Sequence, residues 1–150
     1  MVNYDRCAGC GFCLTVSTCH SPGRCVGCLS CYWACPYEAR ELIESPLDGE
    51  NSVTVYVDGR PFKVPGNVTV AKALEYLGFR FDPPGSRGLS LACRTSGCWA
   101  CALVIDGGLE RTCVTPVRDG MRVELDASRY RPLRIVHGPE PHVVGGKGTP

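Results

Sequence analysis

From residue 53 the chain takes on the periodicity of ordinary secondary structure. VTVYV (53–57) and PFKVP (61–65) read as two strands flanking DGR, a tight hairpin signal. In TVAKALEYLG (69–78), Val70, Ala73, Leu74 and Leu77 lie three and four positions apart, the spacing of one helix face. Thr69 is placed to cap that helix and Gly78 to end it. CALVIDGGLERTCVT (101–115) reads as a second hairpin around Gly107 and Gly108, and MRVEL (121–125) as a final strand. Hairpin, helix, loop, hairpin and strand predict a small mixed sheet with one helix across it, an α+β fold.

The rest of the chain divides where its cysteines do. Eight cysteines lie between Cys7 and Cys35, and the other four run from Cys93 to Cys113 inside the periodic segment. ESPLDGENS (44–52) is polar and carries proline and glycine, so it reads as a linker. GPEPHVVGGKGTP (138–150) is more than half glycine and proline; it cannot bury a core alone and reads as an extended tail. The division is therefore 1–45, a linker at 46–52, a domain at 53–126 and a tail at 127–150.

Composition sharpens this picture. Twelve cysteines in 150 residues mean either a disulfide scaffold or metal and redox chemistry. The start, MVNYDRCAGCGFC, has neither the basic nor the apolar region of a secretion signal, and no apolar run approaches the ~18 residues of a membrane span. A cytoplasmic location is expected, and dense cysteine there points to metal or redox chemistry rather than bridges. Charge is nearly balanced, at a formal +1, so nothing argues for a nucleic-acid partner.

Within CVGCLSCYWACP, Cys25, Cys28 and Cys31 are spaced two apart, and three residues lead on to Cys35 and Pro36. This is the bacterial ferredoxin pattern for a 4Fe-4S cluster. Three thiolates at that spacing wrap a tight loop around one face of a cubane, while the fourth points away toward another cluster. A zinc ion prefers two separated pairs. Cys7, Cys10 and Cys13 repeat the triplet, and Cys19 stands where an exported fourth ligand would. Roughly residues 3 to 45 thus resemble a two-cluster bacterial-type ferredoxin. The resemblance implies one cubane on Cys7, Cys10, Cys13 and Cys35, and a second on Cys19, Cys25, Cys28 and Cys31. CPYEA (35–39) resembles the family's lead into a short strand, here RELIE. The chain departs from the family in having five residues between Cys13 and Cys19, five between Cys19 and Cys25, and His20 in place of a proline. His20 is either a donor or ligand to the cluster or a surface histidine beside a turn.

Cys93, Cys98, Cys101 and Cys113 follow the plant-type 2Fe-2S spacing. A flat two-iron rhomb needs the longer first gap so that the loop can curl over one iron before serving the other. Residues 52 to 126 resemble the β-grasp 2Fe-2S ferredoxin domain, which implies these four cysteines as ligands. The eleven-residue gap before Cys113 is similar to that in succinate dehydrogenase and fumarate reductase iron-sulfur subunits. CVTPVRDGMRV (113–123) resembles the ending of related domains in multi-subunit amino-acid and opine dehydrogenases, and also in hydrogenases and formate dehydrogenases. Trp99 stands where glycine is common, as a shield, a partner contact or simple packing. Phe12, Tyr32 and Trp33 are expected to keep water from the cubanes.

No G-x-G-x-x-G declares a nicotinamide or flavin fold, and GGKG (145–148) lacks the context of a phosphate loop. His137 and His142 have no recognisable catalytic partner, so no catalytic residues are expected. With about two negative charges per oxidised all-cysteine cluster, the loaded protein is anionic. RYRPLR (129–134) is then a basic exception, a docking patch or a solvated run. The expected function is an electron-transfer subunit that takes single electrons from a flavoprotein carrying FAD or FMN, within a hetero-oligomeric dehydrogenase. The resemblance favours the amino-acid or opine type; the cubanes-first order argues against succinate dehydrogenase itself. The alternatives are a hydrogenase or formate dehydrogenase-like subunit, a free soluble ferredoxin, or a zinc-bearing interaction module.

Overall fold

The computed structural model describes residues 1–17, 19, 25–44, 51–84 and 88–126. His20, linker residues 46–50, the tail from 127 with RYRPLR and GGKG, His137 and His142 lie outside the described residues.

The elements in chain order are α1 (Phe12–Val16), α2 (Ser30–Trp33), β1 (Ser52–Val57), β2 (Arg60–Pro65), α3 (Val70–Tyr76), β3 (Ala102–Ile105), β4 (Gly108–Arg111) and β5 (Arg122–Glu124). The five strands form one sheet in the order β2-β1-β5-β3-β4. β1–β2 and β3–β4 are antiparallel hairpins, and β5 runs antiparallel to β3 and parallel to β1, which joins them. This is the mixed sheet with one helix expected from the sequence.

The second hairpin turns one residue earlier than expected. Gly108 already pairs with Ile105, and the turn is Asp106-Gly107, as Asp58-Gly59 is in the first hairpin. Both pairs have positive φ throughout (48° and 81°, 51° and 84°), which the two-residue turn matched to strand twist requires; Asp-Gly meets that demand. The aspartates also serve the strand between the hairpins. Asp106 Oδ1 accepts from the Arg122 N–H at 2.8 Å, and Asp58 Oδ1 from the Leu125 N–H at 3.0 Å.

Helix α3 covers the sheet with Val70, Ala73 and Leu74, which join Val55, Val57, Val64, Leu103, Ile105, Met121 and Val123 in one buried cluster. Each large side chain buried there is worth about 1.5–3 kcal/mol. Thr69 Oγ1 accepts from the Lys72 N–H at 3.2 Å, the expected cap. The first two helical N–H groups are satisfied from outside: Val70 donates to Thr115 O (2.8 Å) and Ala71 to Thr112 O (3.0 Å). The helix start is thereby tied to the segment that carries Cys113.

Residues 1–44 are built differently. Among their described residues there are two short helices and no strand. RELIE contributes a single bridge, Arg40 opposite Val2. Its partner is the first few residues of the chain: Asn3 N–H donates to Ala39 O (2.8 Å) and Glu41 N–H to Met1 O (3.0 Å).

Candidate iron-sulfur site

The two cysteine triplets are conformational copies. In Cys7-Ala8-Gly9-Cys10-Gly11-Phe12-Cys13, Gly9 and Gly11 have φ of 66° and 71°, and α1 then starts at Phe12. In Cys25-Val26-Gly27-Cys28-Leu29-Ser30-Cys31, Gly27 and Leu29 have φ of 65° and 58°, and α2 starts at Ser30. Left-handed residues turn successive N–H groups toward one side, a concavity suited to an anion. A Cβ on Gly9, Gly11 or Gly27 would meet nothing within 4 Å, so these glycines answer to backbone conformation rather than to crowding. Leu29 takes the same conformation with a side chain.

Electrostatics group the cysteines. Burial, then repulsion from Cys25, Cys28 and Cys31, pushes the Cys19 thiol above its ordinary pKa, so Cys19 lies beside that triplet despite the unusual spacing. Burial likewise raises Cys31, with the Arg40 guanidinium acting against it. Cys35 is held low by the N–H groups of Ala39 and Tyr37, the former 3.3 Å from its sulfur. Arg40 donates to Cys13 Sγ at 2.6 Å.

In the second domain Arg94, Ser96 and Trp99 all have positive φ (50°, 65° and 57°), coiling the loop between Cys93 and Cys101. Burial disfavours the Cys93 thiolate, but N–H groups of Thr95, Cys98 and Gly97 and the Cys98 thiol outweigh it and bring its pKa to about 7. The Cys98 N–H is 3.4 Å from Cys93 Sγ. Cys101 and Cys113 are buried side by side. A hydrogen bond from the Cys113 thiol lowers Cys101 to about 6 against its burial, and the same bond, with burial, raises Cys113. Thr112 holds the pair in register, its Oγ1 donating to Cys101 O at 2.8 Å. Arg111 lies over the Trp99 ring, 4.6 Å from its centroid, and donates to Ser96 O. Trp99 is thus covered on one face and about half exposed. Phe12, Tyr32 and Trp33 are also substantially exposed.

The two regions touch at their cysteine loops. Cys28 packs against the Cys101, Cys113 and Val114 cluster, and the buried Ser30 donates through Oγ to Arg94 O at 3.1 Å. Beside this contact Val16 and Ser17 face Glu110 and Arg111 across a polar cleft of about 330 Å³ that carries no cysteine.

All twelve cysteines are free thiols. Among the described residues no three His, Cys, Asp or Glu side chains converge as a single metal ion requires; a cubane takes one cysteine per iron and a rhomb two, so neither needs three on one ion. Reduced thiols, inward N–H groups and left-handed loops fit the all-thiolate donor set of iron-sulfur clusters. Sequence reasoning missed Arg40, Ser30 and the placement of Cys28, whose partners lie 27 to 64 positions away or in the other domain. The Gly9/Gly27 repeat was open to a sequence reading; the matching role of Leu29 was not.

Comparison with known proteins defines the class: this is an iron-sulfur electron-transfer protein, with a 4Fe-4S binding domain at residues 19–41 followed by a 2Fe-2S domain. The chain belongs to the 2Fe-2S iron-sulfur cluster binding domain family, which it matches over residues 50–128. It is 32% identical over 81 residues to hydrogen cyanide synthase subunit HcnA of Pseudomonas aeruginosa, covering 52% of this chain and 78% of that protein. It is 36% identical over 63 residues to an uncharacterized iron-sulfur protein of Methanocaldococcus jannaschii, a match covering 42% of this chain and 12% of that protein. Quinoline 2-oxidoreductase from Pseudomonas putida matches 49% of this chain and 44% of its own at 26% identity and a TM-score of 0.36. Among the described residues no helix is long and apolar enough to cross a membrane.

Proposed function

We propose that this chain is the electron-relay subunit of a multi-subunit dehydrogenase, taking single electrons from a subunit that carries FAD or FMN and passing them to an acceptor. Cys7, Cys10, Cys13 and Cys35 hold one 4Fe-4S cluster, Cys19, Cys25, Cys28 and Cys31 a second, and Cys93, Cys98, Cys101 and Cys113 a 2Fe-2S cluster. When bound, these groups supply one-electron oxidation and reduction. The protein's own part is to hold the thiolates ready, aim N–H groups at their sulfurs and bring the loops together. The observation that carries the reading is the packing of Cys28 on Cys101 and Cys113. A ligand of one proposed centre against two of another makes a continuous path through a single chain. Because Cys28 belongs to the second triplet, the 4Fe-4S site on Cys19 to Cys31 is the middle member. Dense cysteine assigned to metal rather than to bridges suits the reducing cytoplasm.

The likeness to HcnA, a subunit by name, supports the subunit reading over a freely diffusing ferredoxin. CVTPVRDGMRV favours an amino-acid or opine type of parent enzyme. Iron analysis of anaerobically purified protein tests the cluster set: about ten irons per chain is expected, and about six would remove one cubane. Iron near zero with bound zinc would overturn the relay. Gentle anaerobic copurification tests the partner, and a flavoprotein in stoichiometric amount is expected. A loaded protein that purifies as a stable monomer from its native host would defeat the subunit assignment.

A further inference from the structure

Arg40 is the one arginine among the described residues that donates to a cysteine sulfur, and the fold aims it there. Its backbone is fixed by pairing with the first residues of the chain: Val2 bridges it, Asn3 N–H donates to Ala39 O, and the Met1 amino group donates to Glu41 O at 2.7 Å. Neighbouring side chains on an extended segment point to opposite sides, so this pairing sets where residue 40 faces. The guanidinium donates to Cys13 Sγ at 2.6 Å and also acts electrostatically on Cys31 and Cys7. The ion pairs of the described residues, Lys72 with Glu75 and Arg118 with Asp106, leave Arg40 without a carboxylate partner. Among the described residues its charge therefore faces sulfur. An arginine stays cationic at any working pH, and a charge-assisted bond is roughly twice as strong as a neutral one. Ala39, one residue earlier, points its N–H at Cys35, so adjacent residues serve two ligands proposed for the same cubane.

We infer that Arg40 raises the reduction potential of the 4Fe-4S cluster on Cys7, Cys10, Cys13 and Cys35 above that of its neighbour on Cys19, Cys25, Cys28 and Cys31. This rests on the ligand sets proposed above. One-electron reduction by the flavin-carrying partner would add one negative charge to the cluster those thiolates would hold; a fixed cation bonded to Cys13 stabilises that charge, and more weakly any charge beside Cys31. The middle centre then lies uphill of the outer one, and electrons arriving from the 2Fe-2S side come to rest on the outer cubane.

The test is a mediated redox titration of the anaerobically purified full chain, read by electron paramagnetic resonance. In Arg40→Gln one cubane signal is expected to move to lower potential, with the 2Fe-2S signal unmoved as internal control. Arg40→Lys, which keeps the charge but not the planar fork, is expected to fall between Gln and wild type. A second measurement needs no variant. Wild-type protein grown with 15N-labelled arginine is expected to show a nitrogen coupling on one reduced cubane signal by electron spin echo spectroscopy. Full iron content with unshifted potentials in R40Q, or no arginine coupling in wild type, overturns the inference and leaves the ligand sets standing. Wild type without two cubane signals overturns both.

Discussion

Between residues 52 and 126 twelve buried side chains close into one apolar cluster under a five-stranded sheet. In residues 1–44 the buried positions among those described are Ser17, Ser30 and Ala39, while Tyr4, Phe12, Leu14, Trp33, Tyr37, Leu42 and Ile43 are exposed. A chain segment this short and this poor in core has little to set against its conformational entropy. The second region can fold as a sheet and present a cysteine loop. The first is expected to depend on its metal, because its described residues bury so little apolar surface. In small metal domains binding energy is folding energy, so one chain combines a scaffold that holds iron with a segment that iron holds.

The largest expected effect separates the two at once. Stripping iron with chelator and oxidant should leave amide protons of 1–44 exchanging freely while those of β1, β3 and β5 stay protected, as followed by hydrogen exchange; protection retained in 1–44 would erase the distinction. In the opposite direction, Leu103→Ala removes a fully buried side chain from the sheet's core and should cost about 2–5 kcal/mol in urea unfolding. The 4Fe-4S signals should persist, since no part of the first region draws on that core. Ser30→Ala breaks the hydrogen bond to Arg94 O and should cost about 1 kcal/mol, seen as faster exchange in the 25–31 and 93–98 loops together. A change confined to one loop would mean the regions are not coupled there. The smallest effect concerns Leu29, left-handed at φ 58° where the first loop has Gly11 at 71°. Leu29→Gly should stabilise the second loop by up to about 1 kcal/mol, read as a higher urea midpoint for loss of its cluster.

The same contrast governs how much the sequence disclosed. The sheet domain was legible because period-two strands, one helical face and Asp-Gly turns are local signals; even the misplaced turn was wrong by a single residue, at a site where both Asp106-Gly107 and Gly107-Gly108 look suitable. The cysteine spacings disclosed the chemistry of the first region but not its architecture. RELIE has strand composition, yet its partner is three residues at the far end of the segment, and no local pattern announces that. No local pattern singles out Arg40 or Ser30. Both acquire their meaning from atoms far along the chain. Cys19 is the opposite case: its departure from the usual spacing raised a question in the sequence, and it feels the charges of Cys25, Cys28 and Cys31.

The parallel seam between β1 and β5 also imposes a timetable. β1 is made early in its domain, yet the strand that pairs with it, and the Leu125 N–H that reaches back 67 positions to Asp58, are made last. Until residue 124 has left the ribosome, the two hairpins have nothing to join them, whereas the first eight cysteines have long been available. Contacts this distant along the chain form slowly, so biogenesis of the holoprotein should run from the amino end. Cubane delivery to the emerging segment comes first, closure of the sheet second, and insertion of the 2Fe-2S cluster into the finished loop last.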